Sequence, residues 1–170
     1  FQRVFTTMYP ERWPELAPFA ARLQAQWPLP LPGLHRLDFG EVVLTLGFGD
    51  VQTLLPQLTL AANAIYLDGF APARNPEMWS DEVFAALVKL AVPDATLASW
   101  SVLDDMMFRL SRHGFRLEKR PGFGTKRYML AGRRPGAVTQ RLTFTAQRIA
   151  VIGAGIAGAS IAHALKRRGH

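Results

Sequence analysis

The stretch from Ala64 to Ser101 alternates strand, helix and strand, and no other feature of the chain constrains its fold as tightly. "AIYLDGF" (64–70) reads as a short buried strand ending in an acid, and "APARNPEMW" (71–79) as a loop stiffened by prolines. "SDEVFAALVKLA" (80–91) is a helix with Ser80 as its N-cap, and "ATLASWS" (95–101) is a second strand. Strands separated by helices predict an α/β fold with a largely parallel sheet.

The flanking sequence extends this pattern. Trp13, Leu16, Phe19, Ala20, Leu23 and Trp27 recur at three- and four-residue steps, which predicts a helix over 11–27; the prolines of "WPLPLPG" (27–33) end it. Residues 34–50 read as two β segments around Gly40, and 51–58 as a short helix or turn. A helix over 104–113 stops at Gly114. "FRLEKR" and "KRYMLAG", joined through "PGFGT", form a closing antiparallel pair. Residues 133–147 lack periodicity and read as a linker between a domain over 1–132 and the start of a second over 148–170.

That second start is "RIAVIGAGIAGASIAHALKRRG", an apolar strand, a glycine-rich turn and a helix. Gly153, Gly155 and Gly158 stand in GxGxxG register, which suits a tight turn, a close backbone approach to a pyrophosphate and close helix–strand packing. The acid that holds a ribose is expected roughly twenty residues further on, beyond His170. The apolar run Ile149–Leu165 could alternatively be read as a marginal membrane span, but strand-then-glycine order fits a nucleotide turn better.

In open α/β sheets ligands gather at the carboxyl ends of strands, which makes the strand-end acids Asp50 and Asp68 candidates. Asp50 in "GFGD" is either a helix cap or an acceptor for an amino group. The loop after Asp68 is either an ordinary connection or an active-site loop presenting Asp68 and Phe70 to a planar substrate. "KRPGFGTKRYM" (119–129) interleaves Lys119, Arg120, Lys126 and Arg127 with Phe123 and Tyr128. That mixture suits phosphate contacts and base stacking; the alternative is a hairpin with solvated charges. Charge leans the same way. Residues 1–100 carry 6 Lys and Arg against 10 Asp and Glu, and residues 101–170 carry 14 against 3.

Absences narrow the chemistry. No cysteine occurs, so disulfides and thiolate metal sites are excluded. His35, His113, His163 and His170 lack metal-ligand spacing, and no metal is expected. The sequence contains no GxSxG, HExxH or Walker loop. "FQRVFTTMYPERWPEL" has no basic and apolar leader, so a cytoplasmic location without a membrane anchor is expected, and its initial Phe reads as the start of an excerpt.

Taken in order, "LDGFAPARNPEMW", "GFRLEKRPGFGTKR" and "RIAVIGAGIAGASIAHALKRRG" resemble the bifunctional tRNA 5-methylaminomethyl-2-thiouridine biosynthesis (MnmC) family, as does "WPELAPFAARLQAQWPLPLPGLHRL". The resemblance implies an incomplete Rossmann-like class I methyltransferase sheet followed by a lone strand–turn–helix of a FAD-binding domain. It implies S-adenosyl-L-methionine and FAD as cofactors, each with an incomplete site, and tRNA as partner. In the family one enzyme methylates an aminomethyl group on the wobble uridine, and the fused FAD-dependent oxidoreductase removes a carboxymethyl group to provide that amine. By resemblance Asp68 lies beside the target amine, Phe70 and Pro72 shape the base pocket, and Asp50 contacts the cofactor adenine. Gly153, Gly155 and Gly158 match the FAD turn, and Lys119, Arg120, Lys126 and Arg127 face tRNA phosphates.

The sequence departs from the family where "VLDDMMFRL" follows "LASWS" and where Tyr128 precedes Met129. The family's glycine-rich cofactor loop would precede Phe1, so activity of this chain by itself is not expected. Two rivals remain: a basic tRNA-binding module without catalysis, and a fragment of a FAD amine oxidase, which gives no reason for the DGFAPARNP loop.

Overall fold

The computed structural model describes residues 13–136, 152 and 155–167. Contacts divide the chain into two compact units, Phe1–Gly136 and Ala137–His170.

In the first unit a 3-10 turn, Pro14–Leu16, leads into helix α1, Ala17–Ala25, so the described part of the helix predicted over 11–27 is shorter than its pattern. No residue of α1 is buried. Its Phe19 and Leu23 instead line a groove with Phe39, Val42 and Leu44. The helix is tied down by polar bonds: Arg22 donates to the Phe39 carbonyl at 2.8 Å and Gln26 to that of Asp38 at 3.1 Å. Strands β1 (Gly33–Asp38) and β2 (Val43–Phe48) pair antiparallel, and Gly40 adopts the left-handed φ of +88° that the turn between them requires. This hairpin is a sheet of its own.

After the short helix α2 (Val51–Leu54) and a 3-10 turn (Leu55–Gln57), the chain enters the main sheet. Strand β3 (Ala62–Leu67) runs parallel to β4 (Ala91–Ser99), with helix α3 (Asp81–Leu90) between them in sequence. Helix α4 (Asp104–Arg112) leads to β5 (Arg116–Pro121), and β6 (Tyr128–Arg133) completes the order β3-β4-β6-β5. Both pairings of β6 are antiparallel. The parallel pairing expected across the strand–helix–strand stretch is β3–β4, and the closing antiparallel pair is β5–β6. The six residues between β5 and β6 are too few for a parallel crossover, which takes a dozen or more, so the returning strand reverses direction.

Helices α3 and α4 supply the core beneath one face of this sheet. Phe84, Met106, Leu110 and Leu130 are almost wholly buried, together with Val83, Leu97 and Phe115. On the opposite face Tyr66, Thr96 and Arg133 are exposed. Strand β3 was expected to be buried, yet only Ile65 is, because nothing among the described residues covers its second face. Among the described residues β3 and β5 are the outer strands of the sheet.

Local signals act as anticipated at the helix ends. Ser80 caps α3: its Oγ accepts from the Val83 amide at 3.4 Å and from Gln52 Nε2 at 3.0 Å. Helix α4 ends at Gly114, whose φ of +95° lets the Phe115 amide reach back to the Leu110 carbonyl at 3.3 Å. The turn drops Phe115 into the core.

The Glu82 carboxyl, in the first turn of α3, is held below the usual carboxylate range by its own backbone N–H and then by the Ser80 hydroxyl. A carboxyl held low when folded contributes stability above its unfolded value and loses it as pH falls through the lowered one. Urea titrations between pH 6 and pH 3, roughly the carboxylate range, are expected to show Glu82→Gln flattening that acid-side loss. An unchanged pH dependence would assign it to other carboxylates.

In the second unit, helix α5 spans Ile156–Arg167. Among the described residues no helix is long and apolar enough to cross a membrane. Gly155 precedes α5, with nothing among the described residues within 4 Å of where a side chain would begin, and Gly158 lies in its first turn. Gly153 and the preceding apolar strand lie outside the described residues.

Candidate functional site

Parallel β3 and β4 end side by side, with Leu67 opposite Ser99. At their carboxyl ends opens a cavity of about 510 Å³ lined by Tyr66, Leu67, Asp68, Ala98, Ser99, Trp100, Phe123, Lys126, Tyr128 and Met129. Such a strand-end crevice is where an open α/β sheet binds ligands. Three segments distant in sequence meet there: the end of β3, the end of β4, and the hairpin between β5 and β6.

Each arrives for a local reason. Asp68 is the first residue past β3, and its side chain is exposed to the cavity. Gly69 follows where a side chain would crowd Met78 Cε at 3.0 Å and Trp79 Cζ2 at 3.2 Å, so glycine lets the loop pass close over the 3-10 turn Pro76–Trp79. Trp100 leaves the end of β4. On the hairpin, Gly122 lies so close to the backbone of Lys126 that any side chain would collide with it. Gly124 takes a φ of +62° within the same turn. That fold-back brings Lys126 over the Trp100 ring, its Nζ 4.9 Å from the centroid.

The resulting chemistry is an acid, a cation and an aromatic surround. Tyr66 and Phe123 are 79% and 94% exposed, so their rings are available for stacking a planar group. Asp68 supplies an anion at the lip, and Lys126 a cation that a phosphate could engage.

Residues 14–135 match the family model described as S-adenosyl-L-methionine-dependent methyltransferase. The chain belongs to that family. The sheet and its antiparallel pair are accordingly a Rossmann-like methyltransferase sheet. Three curated relatives carry the name tRNA 5-methylaminomethyl-2-thiouridine biosynthesis bifunctional protein MnmC. The Azoarcus sp. (strain BH72) protein is 54% identical over 161 residues, 93% of this chain and 25% of its own length. The Aromatoleum aromaticum protein is 51% identical over 162 residues, again 93% and 25%. The Cupriavidus necator protein is 48% identical over 163 residues, 91% and 25%. The chain thus spans about a quarter of the length of these relatives, and the resemblance read from the loop and hairpin motifs is borne out.

Within this chain the anticipated site residues fall into separate places. Asp68 and Lys126 line the cavity. Phe70 is exposed and Pro72 half-buried; neither is among the lining residues. Asp50 is the N-cap of α2, its Oδ1 accepting from the Thr53 amide at 3.1 Å. Lys119 and Arg120, adjacent in sequence, point to opposite faces of β5. Lys119 bonds Asp104 of α4 at 2.9 Å, whereas Arg120 pairs with Glu118 on the open face. Arg127 is exposed on the hairpin and its carbonyl accepts from the Gly122 amide. Among the described residues no cluster of metal-ligating side chains forms. His113 pairs instead with Asp81 at 3.1 Å.

Two cavity residues, Tyr66 and Trp100, carry no recognisable motif. Their signal is positional: an aromatic one step before, and one step after, the end of a strand.

Proposed function

We propose that this chain carries the base-binding half of a tRNA methyltransferase site, and that Asp68 manages the proton of a wobble-uridine aminomethyl nitrogen as that nitrogen is methylated. The observation that carries the reading is the meeting of Asp68, the aromatic rings and Lys126 in one strand-end cavity. The names of the relatives support tRNA as the substrate.

S-adenosyl-L-methionine, when bound, supplies an electrophilic methyl group. Asp68 lines the cavity as an anion near which a sulfonium is favourable, and Asp50, outside that cavity, is by resemblance the contact for the cofactor adenine. A protonated amine has no lone pair to donate. The new N–C bond therefore requires a proton to leave that nitrogen, and Asp68 is placed to receive or steer it. Tyr66, Phe123 and Tyr128 hold the ring plane, and Lys126 answers the phosphate charge.

The finer parts of the reading concern the rest of a longer protein: a FAD-dependent oxidoreductase acting on the same nucleoside, begun by the Gly153–Gly158 turn. The N-terminus of α5, with Gly155 just before it, is compatible with a pyrophosphate there.

The test is transfer of labelled methyl groups from S-adenosyl-L-methionine to tRNA from cells lacking the final methylation. Label in the wobble nucleoside is expected from the protein carrying these residues, and its absence overturns the reading. The same assay on the 170 residues by themselves tests the expectation that they do not suffice. tRNA retention with no cofactor binding by the whole protein would favour the non-catalytic module.

A further inference from the structure

The backbone around Asp68 is held in an unusual way. The β3–β4 ladder ends with Leu67 opposite Ser99, so the next carbonyls of β3 have no strand partner. Side chains take over where the ladder stops. Ser99 Oγ donates to the Leu67 carbonyl at 2.9 Å, and Trp100 Nε1 donates to the Gly69 carbonyl at 3.1 Å. Trp79 Nε1 adds a bond to the Phe70 carbonyl at 2.8 Å.

The donors are well suited to fixing a position. An indole N–H only donates, and it sits on a rigid ring. The Ser99 hydroxyl has its acceptor side taken by the Ser101 amide at 3.2 Å, which leaves its single proton for Leu67. Ser99 is 6% and Trp79 3% exposed, so neither competes freely with water. An exposed loop could satisfy the same carbonyls with solvent. Here Ser99, the last residue of the neighbouring strand, and Trp100 just after it reach the carbonyls on either side of Asp68.

We infer that Ser99 and Trp100 are positioning residues: together they extend the strand pairing past its last ladder bond and hold the Asp68 carboxylate at a fixed point over the cavity. The functional part of this inference rests on the reading of Asp68 given above. A group misplaced by about 1 Å can cost a reaction about a hundredfold, so the clamp would act on turnover more than on binding.

The test has two readouts in Ser99→Ala and Trp100→Phe, which remove the donors separately. The first is amide ¹⁵N relaxation of the 170-residue chain. Wild-type order parameters at Asp68 and Gly69 are expected near about 0.85, and to fall toward about 0.6 in each variant while those of α3 stay unchanged. The second is methyl-transfer kinetics. The kcat of Ser99→Ala is expected to fall about tenfold to a hundredfold with KM within about twofold.

Unchanged order at 67–70 in both variants overturns the clamp. So does lowered order with kcat at the wild-type level. Should Trp100→Phe fail to fold, Ser99→Ala decides both points. If the wild-type protein transfers no methyl group, the functional reading fails on that result, and relaxation alone decides whether the clamp exists.

Discussion

Replacing Asp68 with alanine is expected to lower methyl transfer by at least about a hundredfold while the domain stays folded. A positioned acid or base contributes about 10²–10⁴-fold to a proton-dependent step, and among the described residues no second carboxylate lines the cavity. The fold has little at stake in this side chain. It is exposed, and among the described residues it makes no hydrogen bond or ion pair. Surface changes of that kind usually alter stability by less than about 0.5 kcal/mol. Steady-state kinetics beside a thermal melt therefore separate the two effects. Wild-type turnover in the variant would remove Asp68 from the chemistry and leave the cavity a binding site only.

The largest stability effect is expected at Phe84. Its side chain is fully buried at the centre of the core under the sheet. Truncating such a ring to alanine costs about 3–5 kcal/mol, through lost burial and the cavity left behind. Against the roughly 5–15 kcal/mol that holds a domain folded, this is a large share. The Arg109 guanidinium lies 5.3 Å over the Phe84 ring and also bonds the Trp79 carbonyl at 2.7 Å. The loss would thus reach the turn beneath the Asp68 loop. Urea unfolding should show the midpoint of Phe84→Ala falling well below that of Phe70→Ala, whose ring is 75% exposed. Equal midpoints would mean that packing around α3 relaxes to fill the void.

Much of this architecture is written locally. Ser80 before an amphipathic run, Gly114 after one and the glycines of "PGFGT" act within a few residues of themselves, and each does in space what its sequence announces. Asp68 and Lys126 were legible as candidates because a strand-end acid and a basic–aromatic hairpin are local patterns. What sequence left open depends on distant partners. The segments around Gly40 read as strands, but that they form a separate hairpin is decided by pairing. Lys119 and Arg120 looked like one basic pair; strand alternation and Asp104, fifteen residues earlier, separate them. The bonds from Ser99 and Trp100 span more than thirty residues, beyond the reach of any periodicity.

Among the described residues, the two outer strands of the main sheet differ in their chemistry. The β5 edge carries Arg116, Glu118 and Arg120 and ends in Pro121, features that discourage another strand from adding on. The β3 edge reads "ANAIYL", with no charge and no proline, and among the described residues no strand pairs along its outer side. An uncharged row of backbone donors and acceptors is a template for further β structure. Where the β3 edge is open, strand addition is expected there rather than at β5, and a lysine at exposed Ala64 is the substitution that would weaken it.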